Sequence, residues 1–71
     1  MAHQVLSPMS GTVTRIECVV GDSVTYESVV VVLESMKMEV PVESGGEGVV
    51  QAILCNVGDL VDADQSLIDI E

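Results

Sequence analysis

The chain repeats itself once. Shifted by thirty-seven positions, Gly11, Val13, Ile16, Cys18, Val20, Gly21, Asp22 and Val24 fall on Gly48, Val50, Ile53, Cys55, Val57, Gly58, Asp59 and Val61, and Glu34 falls on Glu71. A period that occurs only twice describes a duplicated half-domain, not a solenoid. Both copies share one fault in their alternation. Val13 and Val50 are apolar, the phase then changes, and Ile16 with Cys18, like Ile53 with Cys55, resume the inward side. A phase change inside a strand predicts a bulge. Two halves with the same bulge predict two similar sheets related by a pseudo-dyad.

Each copy next carries a matching turn, Val-Val-Gly-Asp at 19–22 and Asn-Val-Gly-Asp at 56–59, in which glycine supplies the special backbone angles. A short strand piece around Val24 or Val61 follows, then another turn, then a longer strand at 29–33 or 66–70. Short strands with turn signals at this spacing argue a sandwich or flattened barrel. Valine carries the apolar core, there is no Phe or Trp, and Tyr26 is the only aromatic, which favours sheet over helix. The expectation is one small all-β domain over residues 1–71 with internal pseudo-twofold symmetry. Met1 to Gln4 are expected as a frayed start, Val5-Leu6 as a first strand, and Ser7 to Gly11 as a turn cluster. Strands running back and forth should bring the two termini together, away from the junction of the copies.

That junction reads Glu34-Ser35-Met36-Lys37-Met38-Glu39 and holds the only lysine of the chain. β-Branched residues run before it at 29–32 and after it in Val40-Pro41-Val42, so the stretch predicts a hairpin with Met36-Lys37 at its tip. Two-residue hairpin turns prefer Asn-Gly, Asp-Gly or Gly-Xaa, because the central residues need positive φ. Met-Lys breaks that rule, and such breaks concentrate at functional sites. A solvated surface charge is the ordinary meaning of a lysine. A unique one at the tip of a stiff hairpin is placed for presentation to another molecule.

The hexapeptide resembles the attachment motif of biotinyl domains, the biotin carboxyl carrier domains of biotin-dependent carboxylases and decarboxylases. Related lipoyl domains usually have Asp-Lys-Ala at this point. The likeness runs from Ser7 to Ile70. Pro8, Met9 and Gly11 fit the family's Pro-Met-Pro-Gly pattern with Ser10 as a departure, and Ser35 stands where many members have Ala. The resemblance implies a flattened β-barrel of two four-stranded antiparallel sheets. It implies biotin in amide linkage on Lys37, attached by a biotin protein ligase, and transport of carboxybiotin from a biotin carboxylase to a carboxyltransferase or decarboxylase. It also implies that Glu34 helps the ligase tell biotinyl from lipoyl targets, although its repeat mate Glu71 has no such role. For Met36 and Met38, a flexible apolar collar recognised by ligase and carboxylase stands against inward packing of one of them. An exposed amine is almost wholly protonated at neutral pH, so a ligase that supplies activated biotin and removes the proton makes chemical sense. The competing readings are a lipoyl carrier, against which Met-Lys-Met argues, and an unmodified β-sandwich binding module.

Twelve acids against Arg15 and Lys37 give a formal net charge of −10. Nothing is available to neutralise phosphates, which excludes nucleic acid and an anionic membrane surface as partners. No run is long enough to span a bilayer and no signal segment opens the chain, so a cytoplasmic domain is expected, or an organellar one if a transit segment was removed, and the acidity suits a mobile, monomeric domain. There is no nucleophile–base pair and no phosphate-binding loop, which fits a carrier and not an enzyme. Cys18 and Cys55 are expected as buried thiols at in-facing strand positions, with a disulfide across the pseudo-dyad as the lesser alternative. His3 is the only histidine, so no metal site is expected. Finally, Glu27 and Asp64 occupy turn positions where most members of the family have glycine. Positive φ is expected at both, with Glu27 the more strained.

Overall fold

The computed structural model describes residues 3–71, and every regular element in it is a strand. In order these are β1 (His3–Leu6), β2 (Gly11–Ile16), β3 (Ser23–Val24), β4 (Val29–Ser35), β5 (Met38–Glu43), β6 (Gly48–Ile53), β7 (Leu60–Val61) and β8 (Ser66–Ile70). They form two four-stranded antiparallel sheets with the orders β5-β4-β2-β7 and β1-β8-β6-β3. Adding thirty-seven to the residues of β2 and β3 gives those of β6 and β7, so the duplication is the symmetry of the fold. The pair Leu33↔Val40 in one sheet has its mate in His3↔Ile70 of the other, where the fourth residue wraps round to the start of the chain.

The shared fault in alternation is a shared bulge. Register slips between Val13 and Arg15 where β2 meets β4, and between Val50 and Ala52 where β6 meets β8. In the first copy the extra residue is Thr14, whose hydroxyl donates to the Val32 carbonyl at 3.0 Å. The bulge lets Val13 and Ile16 both face the core despite their odd spacing. Between the sheets lie Val13, Val31, Leu33, Val50, Ile68 and Ile70, all essentially buried. A fully buried aliphatic side chain contributes about 1.5–3 kcal/mol, and with so few large residues the domain depends on this valine-rich interior.

Loops repeat as faithfully as strands. Ser7 and Ser44 are dyad mates, both buried, and each hydroxyl donates to a carbonyl two residues on, Met9 and Gly46, at 2.6 Å. Each thereby satisfies a polar atom that would be costly to bury alone. Gly21 N–H donates to Val50 O at 2.9 Å and Gly58 N–H to Val13 O at 2.7 Å, pinning each turn onto the strand of the other half.

Three expectations need correction. The strand at the start of the chain begins at His3, not Val5. Pairing to β8 holds His3 and Gln4, Gln4 Nε2 donates to Asp69 at 3.0 Å, and the His3 ring contacts Ser44 O at 2.9 Å. The expected fraying of Met1 and Ala2 falls outside the described residues. Cys18 and Cys55 are buried free thiols, but each lies just past the end of its strand. Positive φ occurs at Asp64, where it is 68°, and not at Glu27. Both turns close with the same hydrogen bond, Ser28 N–H to Thr25 O and Gln65 N–H to Asp62 O, each 3.1 Å. They differ in backbone because Asp accepts the left-handed region at lower cost than Glu.

Candidate functional site

The site is built by β4 and β5, the longest paired strands of the molecule. β4 reads Val-Val-Val-Val-Leu, a continuous apolar run covered on both faces, as its burial along residues 30–33 shows. Its ladder with β5 runs through Val32↔Pro41, Leu33↔Val40, Glu34↔Glu39 and closes at Ser35↔Met38. Only Met36 and Lys37 remain for the turn. Both are left-handed, with φ of 53° and 64°. Positive φ at both central residues is the type I′ pattern that matches strand twist. For residues with a Cβ the left-handed region costs roughly 1–2 kcal/mol each. Strain of this kind, held in place by a rigid ladder, is a pointer to function.

The tip is bare. Lys37 is exposed, Met36 is 91 % exposed and Met38 66 % exposed. Neither methionine packs inward. Two large apolar side chains are left in water beside one amine. Glu34 and Glu39 stand opposite each other one step below. Glu39 also approaches Arg15 of β2, with Nη1 3.6 Å from Oε2, while Arg15 Nε donates to Glu17 at 2.9 Å. Glu34 takes part in a close backbone approach. A Cβ on Gly11 would lie 2.9 Å from the Glu34 carbonyl, and in the other half a Cβ on Gly48 would lie 2.7 Å from that of Glu71. Glycine at both mates lets the strands meet there, which accounts structurally for the repeated Gly.

Lys37 is the residue able to hold a covalent group at this tip, through an amide on Nζ. Elsewhere, burial pushes the Cys18 and Cys55 thiols above their ordinary range, with the carboxylates of Asp22 and Asp59 adding to the effect. Neither is poised as a nucleophile. Among the described residues no cluster of three or more potential ligands could hold a metal ion, and no helix is long and apolar enough to cross a membrane. Sequence reasoning missed Arg15, which it treated only as one of two cations. The available signal was its place directly after the bulge, which turns its side chain to the outer face next to Glu39.

Two matching half-sheets joined through a strained hairpin with a solitary lysine at its tip define the class of biotinyl and lipoyl attachment domains. The family model described as biotin-requiring enzyme matches residues 3–70, and the chain belongs to that family. It is 38% identical over 63 residues to a protein described as the biotinylated protein TB7.3 homolog of Mycobacterium leprae, covering 89% of each chain. It is 38% identical over 69 residues to the biotin carboxyl carrier protein of Streptococcus mutans, covering 97% of this chain and 53% of that one. In three dimensions it is similar to part of the urea carboxylase of Kluyveromyces lactis, with a TM-score of 0.93 and 31% identity over 100% of this chain and 6% of the other. The chain thus spans most of the first relative, about half of the second and a small part of the enzyme. Its fold and family are those of a biotin carrier domain, with biotin as the covalent cofactor.

Proposed function

We propose that Lys37 is the attachment residue and that residues 1–71 act as one non-catalytic carrier unit. The observation that carries this reading is the tip itself: the single lysine of the chain sits exposed in a two-residue turn whose backbone is strained for its side chains. The site suits an amide-linked biotin, because the amine projects from the end of a rigid ladder with no neighbouring element over it. When bound, the group supplies a ring that accepts and gives up a carboxyl group. The chain's own residues do the rest. β4 and β5 hold Lys37 clear of the body, Met36 and Met38 offer apolar contact to whichever enzyme engages the tip, and Glu34 supplies a fixed negative charge for the ligase to read. The partners are a biotin protein ligase, a biotin carboxylase, and a carboxyltransferase or decarboxylase. The net charge of −10 favours encounter with basic rims around their active sites.

Incubation with a biotin protein ligase, ATP and biotin tests the proposal. The intact mass should rise by one biotin, with streptavidin binding, and Lys37→Arg should abolish both. The circular dichroism of that variant should match the parent, since a tip substitution removes no core contact. A mass increase persisting in Lys37→Arg would sink the assignment. An increase equal to a lipoyl group, in a host competent for both modifications, would favour the lipoyl reading, and no increase would favour an unmodified binding module.

A further inference from the structure

The outer face of the β5-β4-β2-β7 sheet carries a groove of about 440 Å³ lined by Arg15, Glu17, Val29, Val32, Glu39 and Pro41. Its centre is one row of the sheet, in which Val32 pairs with Arg15 on one side and with Pro41 on the other. Val32 is 4 % exposed yet lies outside the main core cluster, so its cover comes from this outer face. The floor is apolar. The rim is a guanidinium between two carboxylates.

The pseudo-dyad supplies an internal control. The mates of Arg15, Val32 and Pro41 are Ala52, Asp69 and Gln4, paired in the same register in the other sheet. There the row is closed by its own hydrogen bonds, Gln4 Nε2 to Asp69 Oδ1 and Ser66 Oγ to Gln4 Oε1, both 3.0 Å. The fold therefore does not require a groove at this position. One half fills the row with hydrogen-bonded polar side chains, and the half that bears Lys37 fills it with Arg15, Val32 and Pro41, which line the groove.

We propose that this groove holds the bicyclic ureido ring of the biotin borne by Lys37 of the same chain, an inference that rests on the attachment reading above. Reach permits it. Four residues of strand separate Lys37 from Pro41, about 13 Å. An extended chain advances about 3.3–3.6 Å for every three bonds, so the bonds from the lysine Cα to the ring span about 12–13 Å. Glu39 and Pro41 share strand parity on β5, which places both along one side of the strand that leaves the Lys37 turn. The chemistry is complementary. A ureido group presents one carbonyl acceptor and two N–H donors. Arg15 has five N–H donors, and among the described residues only its Nε lies within hydrogen-bond distance of a protein acceptor. The guanidinium can donate to the ureido oxygen while Glu39 accepts from a ureido N–H. Val29 and Pro41, exposed on either side of the buried Val32, receive the thioether ring and its alkyl chain. The contact is loose enough to be released when a partner enzyme competes for the ring, because the rim is exposed and ion pairs there are weak.

Isotope-labelled protein, unmodified and fully biotinylated as shown by intact mass, provides the test by nuclear magnetic resonance. Biotinylation should shift the amides of Glu17, Val29 and Val32 and give nuclear Overhauser contacts between ring protons and the Val32 methyls. Glu39 is too near the modified lysine to discriminate. Ala52 and Asp69 of the sister row should stay in place. Arg15→Gln, biotinylated to the same extent, should lose the distal shifts and the contacts. Biotinylated protein with shifts confined to residues 35–38 overturns the groove and leaves the attachment reading intact. Protein that never gains the biotin mass overturns both.

Discussion

Glu34 and Glu39 face each other directly across β4 and β5, two carboxylates in register at the base of the strained turn. Like charges at opposed positions destabilise a sheet, and cross-strand pairs are worth about 0.2–1 kcal/mol. Arg15 relieves only Glu39, from 3.6 Å. Glu34→Gln should therefore raise the urea midpoint slightly at low salt, and the gain should shrink at high salt as screening takes over. The same substitution should slow labelling by the ligase. A lower midpoint would show that the pair is compensated from another direction.

The turn should respond more strongly. Replacing Met36-Lys37 by Asn-Gly suits the backbone now imposed on both residues. The double variant should gain roughly 1–2 kcal/mol, the cost of one left-handed residue with a Cβ, and lose all biotinylation. Lys37→Arg should leave stability unchanged. Denaturant melts of the three proteins give the comparison, and an Asn-Gly variant no more stable than the parent would mean that the turn holds no strain.

The two copies of the second turn offer a matched pair. Asp64 is left-handed and Glu27 is not. Glu27→Gly adds freedom to the unfolded chain with no strain to relieve, and should cost about 0.4–1 kcal/mol. In Asp64→Gly the relief and the entropy oppose each other, so its urea midpoint should stay near that of the parent. Equal losses in both variants would count against the difference in backbone.

For Cys18 and Cys55 the prediction concerns pH. Burial raises both thiols, so the folded state holds their protons more tightly than the unfolded state. Their contribution to stability is complete below the unfolded thiol range, about pH 8.5, and is lost as pH rises through the higher folded values. Stability should fall as pH rises above about 8.5, and a Cys18→Val, Cys55→Val double variant should fall less. A thiol reagent should label the native parent slowly and the urea-unfolded parent quickly at both positions. Equal pH profiles for parent and double variant would remove the thiols from the explanation.

The sheet architecture was legible because the duplication writes each element twice. The bulge after Val13 could be placed only by seeing it again after Val50. The hairpin was legible from the valine runs around Lys37, and its strain from the mismatch between Met-Lys and the turn geometry. Sequence was silent where a choice depends on small energy differences between backbones. Glu27 and Asp64 occupy equivalent positions, yet one turn avoids positive φ and the other accepts it. It was silent also where tertiary contact captures a segment, as when the Ser44 carbonyl meets the His3 ring and strand pairing runs back to the third residue. The groove at Arg15 lay beyond reach for a related reason, since it depends on what stands beside Val32 across two strand partners.

That contact between His3 and Ser44 also fixes where the chain's ends lie relative to its lysine. Ser44 follows the last residue of β5, and Lys37 precedes the first, so the six residues of β5 separate them by about 20 Å. His3 pairs with Ile70, so both ends of the described chain leave from that far pole. A domain pivoting there is a stiff lever with Lys37 at its outer end. A 60° swing moves Lys37 by about 20 Å, the length of the arm itself. Changes in the orientation of the domain therefore carry the tip farther than any rotamer change of the lysine can.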